Sequence, residues 1–338
     1  MNILYLIGNG FDLNLGLKTK YSDFYDYYLQ LDSPNYNVAK LKTSIRKHKK
    51  TGLWKDLEFA LGQITRDYDN VDDFIEALSD ISDNLLAYVQ SEQERIKFNS
   101  DATKKFAEYI SWPSQYIPEA AIERIRRFQN GWRTNEWKID IITFNYTNII
   151  DNLLKDKVGK SIGLHNATYH IKLSSINHVH GLYNDTILLG VDNVEQIANE
   201  KFRTEQDLLE IFVKPKANYA MELLMDEKCA NLINNASLIV TFGLSFGPTD
   251  NIWWARLKNR MKKQNSRIII FDYINDLDMS NNRRTRFGFY KRKASSLLFG
   301  EDATALNEYI DYAINPEMFQ LKEYIEENET SNSYTLIA

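Results

Sequence analysis

Four short runs place chemically capable side chains beside glycines. Gly8-Asn9-Gly10-Phe11-Asp12 follows the apolar run Met1 to Ile7. Two glycines permit a tight turn, and free backbone N–H groups at the helix start beyond it would favour a phosphate or ribose. A dinucleotide fingerprint wants a third glycine where this chain has Leu13, the next being Gly16, and Asp12 adds a negative charge where phosphate would sit. The alternative is a plain turn in which Asp12 caps a helix. The second run, Thr143-Phe144-Asn145-Tyr146-Thr147, closes the apolar stretch WKIDIIT. Asn145 offers both a donor and an acceptor without charge, so it can orient a water or a sugar hydroxyl. Taken singly, it reads as a turn or cap before Asn148 to Leu154.

The third run, His178-Val179-His180-Gly181, holds two of the five histidines. Alternation along a strand would put both on one face. Three readings compete: a general base, a metal pair, and a structural histidine. Asp192 and Asp250 are available as further metal ligands, but no zinc or di-metal spacing is completed, so the metal pair ranks last. Gly181 lets a ligand lie against the backbone and favours His180 as the base. In the fourth run, Phe242-Gly243-Leu244-Ser245-Phe246-Gly247-Pro248-Thr249-Asp250, Ser245 and Thr249 bring hydroxyls. Asp250 is placed to cap the next helix or accept from a ribose hydroxyl. The letters G-x-S-x-G are present, but Pro248 follows where an elbow helix belongs. No histidine lies beyond His180, so the hydrolase order of serine, acid, histidine cannot be met.

Such runs do joint chemistry only if strand ends bring them together. Met1 to Ile7 and Ile139 to Thr143 read as buried strands, with β-like runs at Ser175 to Val179, Thr186 to Leu189, Leu238 to Phe242 and Arg267 to Asp272. Helical stretches at 194–212 and 216–234 alternate with them, which predicts an α/β fold: a Rossmann-like, mostly parallel sheet. The stretch between the first two strands is far too long for a simple crossover. Apolar spacings of three and four at Tyr21 to Leu29, Trp54 to Leu61, Val71 to Tyr88, Ala102 to Ile110 and Glu119 to Phe128 make it a large helical insertion. Trp54, Leu57, Glu58 and Leu61 share a helical face, and Glu58 is the member able to turn toward a site. The expected organisation is a core of 1–20 and 135–300, an insertion or cap of 21–134, and a C-terminal part, 301–338, with Ala303 to Ile325 helical before a frayed polar tail.

Composition narrows the partners. The 338 residues carry 41 Lys and Arg against 46 Asp and Glu, a net charge of −5, so no chain-wide field draws the protein to nucleic acid or an anionic membrane. The basic aromatic run RRTRFGFYKRK (283–293) is read as a solvated loop rather than a nucleic-acid surface, and RKHKK (46–50) as a solvated helix end. One cysteine, Cys229, cannot form an internal disulfide or a four-cysteine zinc site. Without a secretory leader or an 18-residue apolar stretch, a cytoplasmic location is expected.

Taken together, GNG, TFNYT, HVHG and FGLSFGPTD resemble, in order, the strand-end motifs of the sirtuin-like superfamily. More closely, LIGNGFDLNLGLKTKYSDF and TFNYTNIID look like the AbiH family of bacterial phage abortive-infection proteins, over roughly positions 1 to 275. The resemblance implies a Rossmann-type sheet binding NAD at its C-terminal edge, with hydrolysis to ADP-ribose and nicotinamide and no metal. By it, Asn145 and His180 are the catalytic pair. Gly8, Gly10, Gly243 and Ser245 match positions that line the nucleotide, and Asn9, Asp12, Thr143, Gly181 and Asp250 are expected to line it beside them. It also implies a phage-derived activator and a second copy of the chain as candidate partners. Two features depart from the pattern: one cysteine cannot build the zinc module of deacetylating sirtuins, and Asn9 with Asp12 alters the phosphate turn. A nucleotide-binding or phage-sensing module without turnover, and a metal-dependent hydrolase or nuclease on His178 and His180, are the rival readings.

Overall fold

A computed structural model describes residues 1–48, 52–181, 187–222, 224–274 and 283–327. Among these residues nine strands appear in chain order: β1 (Asn2–Ile7), β2 (Ile96–Phe98), β3 (Trp137–Thr143), β4 (Ser161–His165), β5 (Tyr169–His178), β6 (Leu238–Phe242), β7 (Arg267–Asp272), β8 (Ile310–Ile314) and β9 (Ile325–Glu327). Seven of them form one sheet in the order β4-β5-β3-β1-β6-β7-β8. All neighbours pair in parallel except β4, which runs antiparallel to β5 at one edge. Numbered among themselves, the six parallel strands follow 3-2-1-4-5-6, the order of doubly wound dinucleotide-binding sheets. The topological switch in that order falls between β1 and β6.

Period-two patterning explains the layers. In β1, Ile3, Tyr5 and Ile7 enter one core while Leu4 and Leu6 enter another, and β7 divides Ile269 and Phe271 from Ile268 and Ile270 in the same way. A strand buried on both faces needs apolar residues at every position, which is why NILYLI, LIVTF and RIIIF read as continuous runs. The first face is covered by helices Ser100–Ser111, Glu119–Gln129 and Ile149–Leu154, the second by Met225–Asn235, Asn251–Met261 and Arg283–Phe299. Tyr5 donates to the Ile110 carbonyl at 2.7 Å, tying the central strand to its covering helix.

The insertion after β1 is present, but its parts separate. Helices Tyr21–Tyr28, Tyr36–His48, Leu57–Ile64 and Val71–Glu94 build a third core, shared with Leu189, Val191, Ile197, Phe202, Leu208, Leu209, Phe212 and Val213. The helices from 100 to 129 instead cover the sheet. Three of these helix starts are set by polar caps: Asp56 accepts from Phe59 N, Asn70 from Asp72 N, and Asn99 from Asp101 N and Ala102 N.

Several expectations are corrected. Ala303 to Ile325 is not one helix: a single turn, Ala303–Leu306, precedes β8, whose Asp311 is buried against Arg124 and Arg267. The apolar spacing of IDYAI serves a strand between two cores, Tyr312 facing one and Ala313 the other. The run 283–293, expected as a loop, lies within helix Arg283–Phe299. The 194–212 stretch breaks into two 3₁₀ turns and helix Gln206–Phe212, and 216–234 is covered by helices Lys214–Ala220 and Met225–Asn235. Of the run 186–189, Thr186 lies outside the described residues and 187–189 form no strand; the pairing in that region is a bridge from Val191 to Val213. RKHKK ends helix Tyr36–His48, its last two lysines lying outside the described residues, as does the tail beyond 327. Among the described residues no helix is long and apolar enough to cross a membrane.

Candidate active site

Strand ends β1, β3 and β6 open on a cavity of about 810 Å³, within the range of small-molecule and cofactor sites. Its lining includes Gly8, Asn9, Gly10, Asp12, Asn145, His180, Gly243, Ser245 and Asp250, so most of the sequence-predicted set meets in one place. Thr143 and Gly181 are not among the lining residues. Thr143 instead accepts from Asn145 N through Oγ1 at 3.2 Å, and Gly181 turns the chain at φ +75°.

The glycines act differently from a phosphate cradle. Gly8 N donates to Phe242 O and Gly10 N to Gly243 O, each at 2.9 Å, and Phe11 N and Leu13 N return to Gly8 O and Asn9 O. Those four N–H groups are therefore committed within the protein. A Cβ on Gly10 would lie 2.4 Å from Gly243 Cα, and one on Gly243, at φ +67°, would lie 2.6 Å from Gly10 Cα. Glycine is needed because two backbones touch across the switch point. Asn9 braces the turn, donating to Thr19 O at 2.8 Å and accepting from Thr19 Oγ1 at 2.6 Å.

Asp12 does not cap a helix. Its buried carboxylate accepts from Asn145 Nδ2 at 3.1 Å and from Thr147 Oγ1 at 2.9 Å. Burial pushes it up to about 7, against the pull of those two donors and the neighbouring His178. Asn145 is likewise no cap; Asn148 occupies the N-cap position of helix Ile149–Leu154. With Nδ2 on Asp12, the Asn145 Oδ1 is buried and has no hydrogen-bond partner among the described residues.

The two histidines part company. β5 ends at His178, so alternation does not carry through to His180. His178 Nε2 lies 2.7 Å from Asp151 Oδ2, and its Nδ1 3.4 Å from the Asn145 carbonyl. His180 Nε2 lies 3.0 Å from Asp250 Oδ1, with its ring between Phe144 and Tyr146, and its buried Nδ1 has no partner among the described residues. Asp192 goes elsewhere, accepting Ile252 N at 3.1 Å at the start of helix Asn251–Met261. The capping role expected of Asp250 thus falls to Asp192. Among the described residues, no three His, Cys, Asp or Glu side chains are grouped to hold a metal ion.

Behind His180 lies a buried charge cluster. Lys214 Nζ donates to Glu58 Oε2 at 2.7 Å, Thr249 O at 2.9 Å and Asp250 Oδ1 at 3.1 Å. Burial works against ionised Asp250, but Lys214 and His180 hold its carboxyl well below the usual range. Burial likewise works against the Lys214 ammonium, which Asp250 and Glu58 hold above its ordinary value. Burial raises Glu58 while Lys214 draws it back. Glu58 therefore does turn inward, as its helical face allowed. Lys214 was not singled out from sequence. Its one signal is a cation in the first turn of a helix, where the dipole opposes it.

The family model described as Bacteriophage abortive infection AbiH matches residues 4–272. The chain belongs to the AbiH family. No curated protein matches it. In this AbiH-family chain the match runs from β1 to the last residue of β7, enclosing every site residue above and leaving β8 outside.

Proposed function

We propose that this AbiH-family protein acts in abortive infection by hydrolysing NAD to ADP-ribose and nicotinamide, with a sirtuin-like use of the sheet edge. The observation that carries the reading is a pair of buried atoms without a partner among the described residues, Asn145 Oδ1 and His180 Nδ1, on residues lining one cavity at a dinucleotide-type switch point. Buried polar atoms are normally satisfied, so two orphans in one cavity call for a ligand or ordered water. Asp250 on Nε2 fixes the imidazole so that Nδ1 is the accepting nitrogen.

In the reaction, the bond from ribose C1′ to the nicotinamide nitrogen breaks and its electron pair neutralises the pyridinium. A water oxygen bonds to C1′, and the water proton passes to His180 Nδ1. The leaving group needs no protonation, so the site must orient, exclude water and supply the nucleophile. Asn145 Oδ1 holds the water or the ribose hydroxyl. Asp12 fixes the Asn145 amide, and when ionised it favours the cationic sugar.

The test is NAD content in cells expressing wild type, Asn145→Ala or His180→Ala, with and without phage challenge. A fall confined to wild type supports catalysis by the pair. Constant NAD in every condition, with wild type still protecting, sinks the hydrolase reading and leaves a binding module or a nuclease.

A further inference from the structure

Lys214 uses all three ammonium protons, on Glu58, Thr249 and Asp250. Glu58 also accepts from Gly190 N at 3.3 Å and Tyr146 OH at 3.4 Å, an arrangement that suits a carboxylate. A buried and a half-buried carboxylate therefore share one permanent cation, and among the described residues the other group in the cluster able to take positive charge is His180. If Lys214 were missing, the imidazole is the group left in the cluster that can supply that charge, and an imidazolium carries a proton on both nitrogens.

We infer that Lys214 is a positioning residue for the base. By supplying the cation that Glu58 and Asp250 require, it leaves His180 neutral, with Nε2–H on Asp250 and Nδ1 free to accept a proton. Glu58 comes from helix Leu57–Ile64 of the insertion, Lys214 from helix Lys214–Ala220, and Asp250 and His180 from the ends of the sheet. The cluster that sets the charge around His180 therefore spans the insertion, helix Lys214–Ala220 and the sheet edge. Other charged groups around the cluster are Asp56 on the insertion, Asp192 beside Lys214, and Asp226 with its neighbour Arg256. None of them donates to Asp250 as Lys214 does.

This inference rests on His180 as the proposed base, but its test needs no turnover and no NAD. Full-length protein labelled with ¹⁵N-histidine reports tautomer and charge from the two ring-nitrogen shifts, with His180→Gln identifying the resonances. Wild type at pH 7.5 should show a protonated Nε2 and a bare Nδ1. In Lys214→Met the doubly protonated fraction should rise about tenfold, because a nearby positive charge has been removed from a low-dielectric site. Glu58→Gln should move the fraction the opposite way, and it supplies the test alone if Lys214→Met does not fold. A purely structural role predicts no such opposed pair. A wild-type nitrogen pattern in Glu58→Gln across the titration, or both variants moving in one direction, would overturn the inference. If the nitrogens behave as expected while NAD stays constant in cells, positioning stands and the hydrolase reading alone fails.

Discussion

Because burial holds Asp12 near 7, the folded chain keeps a proton through a pH range in which the unfolded chain has lost it. The sign follows from linkage. The native state binds more protons than the unfolded state between about pH 4 and 7, so stability falls as pH rises through that window, and the cost is fully present above it. A shift from 3.8 to about 7 corresponds to on the order of 4 kcal/mol. Asp12→Asn should therefore flatten the dependence of stability on pH. Denaturant midpoints from pH 4.5 to 8 would reveal it, with the variant gaining on wild type as pH rises. Some slope should remain, since burial also raises Asp192, to about 6. A variant whose midpoints track wild type throughout would show that the Asp12 carboxyl is not perturbed.

Between elements, the β1 turn touches the β6 turn backbone to backbone. Ala at position 10 meets backbone, and Ala at 243 meets backbone at positive φ as well, so neither clash is relieved by rotating a side chain. Each substitution should cost about 1–3 kcal/mol, the usual penalty of overpacking, and Gly243→Ala should cost more. Urea unfolding with an unchanged m value would measure it. Full stability in Gly10→Ala would mean that the two turns are free to separate. The strands behind these turns were legible because central parallel strands must be apolar throughout, and the four motifs were legible because glycine and asparagine punctuate strand ends. β8 was not: IDYAI carries a buried aspartate, and only the distant Arg124 and Arg267 make its burial tolerable. The helix cap offered for Asp250 fell to Asp192 for a similar reason. Both carboxylates are near the same helix start; Asp192 accepts from it, while Asp250 is held by Lys214, 36 positions earlier in the chain. Helix Tyr36–His48, by contrast, shows Val38, Leu41 and Ile45 at spacings of three and four, and was there to be read.

At the scale of the whole molecule, the insertion is not self-sufficient. Its core is completed by side chains from 189–213, which the chain reaches only after β5. A fragment of residues 20–96 should lack a cooperative thermal transition and a near-ultraviolet circular dichroism signal; a sharp melt would show instead that the insertion folds alone. Full-length protein, with that segment in place, should hold the insertion helices and the sheet in one cooperative unit. Lys214 sits at this join with every proton engaged, and that has a use outside enzymology. Amine-acylating reagents attack only an unprotonated, accessible amine, so a buried ammonium in three hydrogen bonds is inert until the insertion lifts. The fraction of chains carrying added mass at Lys214 after a brief chemical pulse would report how often the join opens.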